Sequence, residues 1–419
     1  MLRGLNSRPL FREIRMAETE ETKENSAVPK TVWILGMVSL LMDISSEMIH
    51  ALLPLFMVQT LNAGAFWIGL TEGGAEAIAL FGKVFSGVIA DRFKKRKILI
   101  FLGYGLGVAS KPFFAMADSI LAVVGARFAD RIGKGLRGAP RDALVADVTP
   151  KETLGAAYGV RQSMDAAGAF VGPLLATILL FYFAEDFRTI FWIALIPGLM
   201  CLALILFGIH EPADDDKKAV KKKIDLASFS ALVKLDSAPW RFVVILGVLF
   251  SLARFSNAFI VLRAADTGIA NMWVPMVMVG MNLVFSAACY PFGKLADHVS
   301  AEKLLAVSLV LLAASDLTFA FVSSVWGTVA GVVLWGLHLA SSQGIFSLMV
   351  ARAAPEHLRA SAFGVFNLFS GVALLLAGIG AGTLWDFFGP TGTFAGGAVV
   401  ALVTLLMLAY KKSNEAVIA

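Results

Sequence analysis

The chain has 419 residues, 58% hydrophobic and 16% charged, with a formal net charge of +5. A water-soluble protein of this length carries about a quarter charged residues, so the apolar excess requires lipid as its solvent. That excludes a soluble enzyme, a disordered scaffold and a nucleic-acid-binding protein.

A helix needs about 20 predominantly apolar residues to cross the hydrocarbon core. Twelve such runs are read along the chain: 31–60, 66–90, 98–118, 120–141, 155–182, 189–209, 241–262, 271–295, 303–323, 326–349, 361–384 and 391–410. They predict an all-α membrane protein with twelve transmembrane helices in two six-helix, pseudo-symmetric bundles, over 31–209 and 241–410. Residues 1–30 are polar and lack a signal-peptide core, so they read as a disordered cytoplasmic tail, with Met16 as an alternative start. Residues 210–240 carry Asp214, Asp215 and Asp216 beside Lys217 and Lys218, then Lys221, Lys222 and Lys223. This mixed charge run reads as a cytoplasmic central linker, and 411–419 as a second cytoplasmic tail. Cys201 and Cys289 lie far apart in apolar runs and give neither a disulfide framework nor a metal spacing.

Basic residues set the orientation. With both termini inside, the cytoplasmic side collects Arg92, Lys94, Lys95, Arg96 and Lys97, the linker lysines, Arg352, Arg359, Lys411 and Lys412. The opposite loops hold Arg188 and Arg263. An internal repeat supports two halves: Gly87 and Asp91 ending in Lys97 recur as Gly293 and Asp297 ending in Lys303, and 150–159 recurs as 355–364 at nearly the same offset.

These residues carry a resemblance. The run 87–97, with Gly87, Asp91, Arg92, Arg96 and Lys97, resembles the signature loop between helices 2 and 3 of the major facilitator superfamily. Arg127 followed by Gly133 resembles its helix 4 motif, with Arg131 where the family usually has Gly. Gly168, Gly172 and Pro173 resemble the helix 5 motif associated with proton-coupled exporters, with Ala176 where Gly is common. The second-half loop has His298 and Ser300 among its substitutions, and the run from Asp130 to Asp142 looks like a bacterial branch of the family. The resemblance covers the chain from residue 31 onward and implies alternating access between two bundles. It makes Gly87, Asp91, Arg92, Arg96 and Lys97 a conformational latch, with Asp91 accepting amides at a helix N-terminus of the other half and the bases meeting acidic groups or lipid phosphates. Gly168, Gly172 and Pro173 become helix-packing positions.

Charged residues at the bilayer centre cost about 2.5–3.5 kcal/mol each and so need partners or a wet cavity. The first half contains six acids, Asp43, Glu47, Glu72, Glu76, Asp130 and Asp165, and six bases, Lys83, Lys111, Arg127, Arg131, Lys134 and Arg161. Unpaired they would cost about 30–40 kcal/mol, well above the stability of a fold, so a paired network is expected. Asp43, Glu47 and His50 share one stripe of helix 1; Asp43 and Glu47 either bind protons and substrate or hold Arg127 or Arg131, and His50 either titrates at physiological pH or is a hydrogen-bonded lining residue. Glu72 and Glu76 lie toward the outer end of helix 2 and are either functional or simply wet. Arg137, Arg141 and Asp142 read as a solvated inner end of helix 4. The second half offers Arg254, Asp316 and His338, with Asn257, Gln343 and Asn367 as neutral hydrogen-bonding groups.

The expectation is a secondary transporter. No Gly-x-x-x-x-Gly-Lys-Ser/Thr run occurs, so an ion gradient is the natural energy source. A carboxylate desolvated in one state and paired with Arg in the other can carry a proton. The reading is proton-coupled antiport exporting a small organic compound, with Asp43, Glu47 and Asp165 as proton-coupling candidates. Arg127, Arg131, Arg254 and Asn257 are the candidates for binding an anionic or zwitterionic substrate. Uptake of an anionic nutrient or siderophore-like ligand is the second reading, and a membrane enzyme or assembly factor on the same fold a remote third. No enzyme activity, cofactor or metal is expected; the partners are a small-molecule substrate, protons and the lipid bilayer, acting on a monomer without nucleic acid.

Overall fold

The computed structural model describes residues 28–92, 96–150, 153–209, 237–296 and 298–418. The proposed tail and most of the linker therefore lie outside the described residues, as does Asp297. Of the described residues 88% are helical, and none is in a strand. The first half runs through α1 (Lys30–His50), α2 (Leu53–Gln59), α3 (Ala65–Arg92), α4 (Arg96–Ala115), α5 (Ile120–Val148), α6 (Leu154–Tyr182) and α7 (Phe187–Gly208). The second half runs through α8 (Ala238–Ala253), α9 (Ala258–Asp266), a short 3-10 turn (Asn271–Trp273), α10 (Met276–Ala296), α11 (Ala301–Phe321), α12 (Val325–Ser342), α13 (Ile345–Ala353) and α14 (Arg359–Ile418).

Each of the twelve apolar runs falls on one of these helices or on a broken pair. Nine stretches among the described residues are long and apolar enough to cross a membrane. The remaining three runs have local reasons. Charges interrupt α3 and α5, and α14 holds two runs joined at Gly389, whose φ of 67° only glycine adopts easily. Three runs read as single helices are broken. Pro54 restarts the first after His50, residues 254–257 divide α8 from α9, and Gly344, with φ of 75°, divides α12 from α13.

Glycines decide how closely the helices approach. A Cβ at Gly82 would lie 2.8 Å from the Gly135 backbone, and one at Gly133 2.5 Å from the Gly103 carbonyl, so α5 lies tightly against α3 and α4. Between the halves, α3 runs along α14 in the largest helix–helix interface among the described residues. A Cβ at Gly69 would stand 1.9 Å from the Gly378 carbonyl oxygen, and one at Gly382 2.4 Å from that of Ala65. At this same end the Asp386 carboxylate accepts the Ala65 N–H at 2.8 Å and the Phe66 N–H at 3.0 Å, capping α3 from the other half. Gln59 donates to Asn271 at 2.9 Å, and Asn271 donates to Glu185 at 3.0 Å. The two halves are therefore closed over one another at the end that carries Gln59, Glu185 and Asp386.

Candidate functional site

The α3–α5 crossing sets the register of the buried charges. Both helices run in the same direction through the Gly82–Gly135 contact, so Glu72 and Glu76 come level with Arg127 and Arg131. Arg127 donates to Glu72 through Nε at 2.9 Å and Nη2 at 2.6 Å, a bidentate pair. Arg131 lies 3.4 Å from Glu76. The α4–α5 crossing does the same for Lys111, which donates to Asp130 at 3.1 Å and to Ser46 of α1 at 3.0 Å. Lys111, Arg127 and Asp130 are all buried. His50 joins them, with Nε2 facing Arg127 and 3.7 Å from Asp130, and Nδ1 3.4 Å from Glu47.

These partners differ from two expectations. Glu72 and Glu76 are not merely wet: Glu72 is buried, and both supply the carboxylates for the α5 arginines. The helix 1 acids Asp43 and Glu47 do not hold Arg127 or Arg131, because α1 packs on α6 while α3 lies closer to α5. Gly168 and Gly172 make that packing possible; a Cβ at each would come 2.7 Å from the Cβ of Asp43 and of Glu47 respectively. Pro173 follows on the same helix, its carbonyl accepting the Thr177 hydroxyl at 3.0 Å.

A second cluster lies further along α5. Arg161 donates to Asp165 at 2.7 Å and sits 3.6 Å from Asp142. Arg141 donates to Ser39 at 2.9 Å and approaches Asp165 at 3.8 Å. Arg137 is not a solvated interfacial residue: it is buried, with its guanidinium 4.4 Å over the Tyr104 ring. Of the two remaining bases, Lys83 is exposed and Lys134 lines the space between the halves.

Between the halves lies a cavity of about 250 Å³. The first half lines it with Glu47, His50, Glu72, Glu76, Arg127, Arg131 and Lys134, and the second half with the broken segment 254–257 and Met278. Of the sequence-derived candidates, Glu47, Arg127, Arg131, Arg254 and Asn257 line it together; Asp43 and Asp165 do not. Lys134 and Arg254 make no ion pair or hydrogen bond among the described residues. They are two cations presented to the cavity from opposite halves. Asn257 is committed through its side-chain oxygen to the Trp335 indole N–H at 3.0 Å. Sequence reasoning missed the break that exposes Arg254, Phe255 and Ser256; the turn-forming pair Ser256 and Asn257 was the available signal.

Of the latch residues, Gly87, Asp91 and Arg92 end α3, where only the backbone is described, so that part of the expectation lies outside the described side chains. Arg96 pairs with Asp147 of α5. Lys97 donates to the Leu206 and Ile209 carbonyls at the end of α7, at 2.9 and 2.7 Å.

The sequence model of the Major Facilitator Superfamily matches residues 35–289 and 243–417. The chain belongs to the major facilitator superfamily. An uncharacterised MFS-type transporter of Methanocaldococcus jannaschii is 29% identical over 96% of this chain and all of the relative. The multidrug resistance protein MdtH of Proteus mirabilis is 24% identical over 84% of this chain and 87% of its own length. Among solved structures, the nucleoside transporter NupG superposes with a TM-score of 0.72 at 15% identity, covering 91% of this chain and 98% of its own. A POT family transporter in complex with a thioalcohol-conjugated peptide gives 0.74 at 15% identity, covering 92% and 96%. As a superfamily member the chain is a multi-pass membrane transporter, and the cavity between its halves is where such a protein meets a small molecule.

Proposed function

We propose that this superfamily member is a proton-coupled antiporter that exports a small organic compound bearing an anionic or zwitterionic group, working as a monomer in the bacterial inner membrane with both termini cytoplasmic. The observation that carries the reading is the pair Lys134 and Arg254, two cations that face one cavity from opposite halves, attracted by Glu76 but without an ion pair at contact distance among the described residues. A carboxylate or phosphate between them would bridge the halves, and its release would free them to part. Glu47, Glu72 and Glu76 around the same space offer a cationic group of a zwitterion its counter-charge. Export is supported by the helix 5 motif and by the name of the relative MdtH. With the basic loops inside, the closed end would face outward. Uptake of an anionic nutrient or siderophore-like ligand is the second reading, favoured by the arginines of α5.

Proton coupling is assigned to Glu47, Asp43 and Asp165. Glu47 lies 3.4 Å from His50 at the cavity wall, and Asp165 lies 2.7 Å from Arg161 and 3.8 Å from Arg141, two partners it would exchange during transport. The binding part of the proposal is tested by thermal unfolding of the purified protein against small organic anions, zwitterions and cations. A ligand at 100 times its Kd stabilises by about 2.7 kcal/mol. Anions or zwitterions should raise the melting temperature of the parent and leave Arg254→Gln unmoved; stabilisation by cations alone would reject the reading.

A further inference from the structure

The charged network belongs to the first half, yet one carboxyl of the second half is sealed away from it. Asp316, on α11, has no exposed surface, and neither of its carboxyl oxygens has a hydrogen-bond partner among the described residues. A Cβ at Gly397 of α14 would lie 2.7 Å from Asp316 Oδ2, 2.7 Å from a ring carbon of Phe255 and 3.4 Å from the Ala253 carbonyl oxygen, so all three converge on one point. The α8–α9 break passes through that point. Arg254 N–H is the last to bond back into α8, onto Phe250, and regular bonding resumes with the Phe259 N–H to Ser256. The Ala253 carbonyl is left without a backbone donor.

An ionised carboxylate with no donor and no cation beside it is strongly disfavoured in such surroundings, whereas a neutral acid has an O–H to give and a free carbonyl nearby to take it. The ionisable groups on the neighbouring elements do not change this. Arg254 at the break faces the cavity, His338 of α12 is held by Ser308 at 2.8 Å, and Asp386 of α14 caps α3; none bonds Asp316. Phe255 lines the cavity and packs on Phe259, Trp335 and Phe394, which places an aromatic wall between the cavity and the acid.

We propose that Asp316 is a proton-binding site of the second half, occupied in this conformation and shut off from the cavity by Phe255 and the α8–α9 break. Loading adds one proton to a carboxylate oxygen; unloading returns it to cavity water once the break and Phe255 move, and no other bond changes. Its service in coupling rests on the transport reading above, while its occupancy does not. The test is infrared spectroscopy of the purified full chain in detergent at neutral pH, which needs no substrate and so stands or falls separately from any transport assay. The parent should show a carboxylic acid C=O stretching band that Asp316→Asn lacks. In heavy water that band should exchange slowly in the parent and faster in Phe255→Ala. Because the amide mimics the neutral acid in shape, Asp316→Asn should fold and melt like the parent. Identical spectra in parent and variant, or a variant that unfolds because the charge is needed, would overturn the proposal. Loss of the band when sodium replaces choline would overturn it in favour of a sodium site.

Discussion

Glu72 and Arg127 form the tightest bidentate pair in the buried network. Removing one partner of such a pair strands the other charge, at a cost of about 3–5 kcal/mol. Glu72→Ala should therefore lower the denaturation midpoint of the purified protein far more than Glu76→Ala, whose side chain is half-exposed and sits 3.4 Å from its arginine; equal effects would contradict the pairing. Asp186 acts outside the membrane core, capping α7 through the Thr189 hydroxyl at 2.6 Å and the Arg188 and Thr189 amides. The Thr189 side-chain bond holds its carboxyl below the ordinary value of 3.8. A lowered value means that the contribution is complete above pH 3.8 and fades as pH falls through the folded-state value. Asp186→Ala should cost about 1 kcal/mol at neutral pH and progressively less in strong acid, as read by unfolding at both. At this scale the sequence shows that Arg127 must have a partner but not which one. Helical spacing gives the face a residue occupies, whereas the neighbour across that face is chosen by the Gly82–Gly135 and Gly103–Gly133 contacts, which no local pattern announces.

The elements divide in the same way. Pro54, Gly344 and the Ser256–Asn257 pair punctuate the three helix breaks that the apolar runs conceal, and the break at 254–257 is also held by tertiary contacts, the Trp335 to Asn257 bond among them. The α3–α14 seam depends on glycines from runs far apart in the chain, with Asp386 as cap. Asp386→Ala removes two bonds that hold the halves closed at that end, and Gly378→Ala would place a Cβ 2.3 Å from the Gly69 carbonyl oxygen. Spin labels at Thr60 and Met272 should move apart in either variant, measured by pulsed electron resonance. An unchanged distance distribution in both would show that the seam does not close this end.

For the whole molecule, the multi-pass helical architecture is legible in hydropathy, since hydropathy arises from solvation by lipid rather than from packing detail. The cavity is less readable because it needs both halves at once: Lys134 belongs to a helix of the first and Arg254 to a break in the second. Their joint role also sets the coupling expectation. If Asp43 carries a proton, Asp43→Asn should abolish pH-driven flux while leaving ligand-induced stabilisation intact; a variant that transports as well as the parent removes Asp43 from the proton path. The most direct measurement of all is proton movement itself, followed with a trapped pH dye in proteoliposomes under an imposed pH gradient as small organic anions and zwitterions are added one at a time. At least one compound should discharge the gradient through the parent, and Arg254→Gln should cut this discharge tenfold or more, about 1.4 kcal/mol. Discharge by no compound, or full discharge by Arg254→Gln, would contradict the proposed coupling.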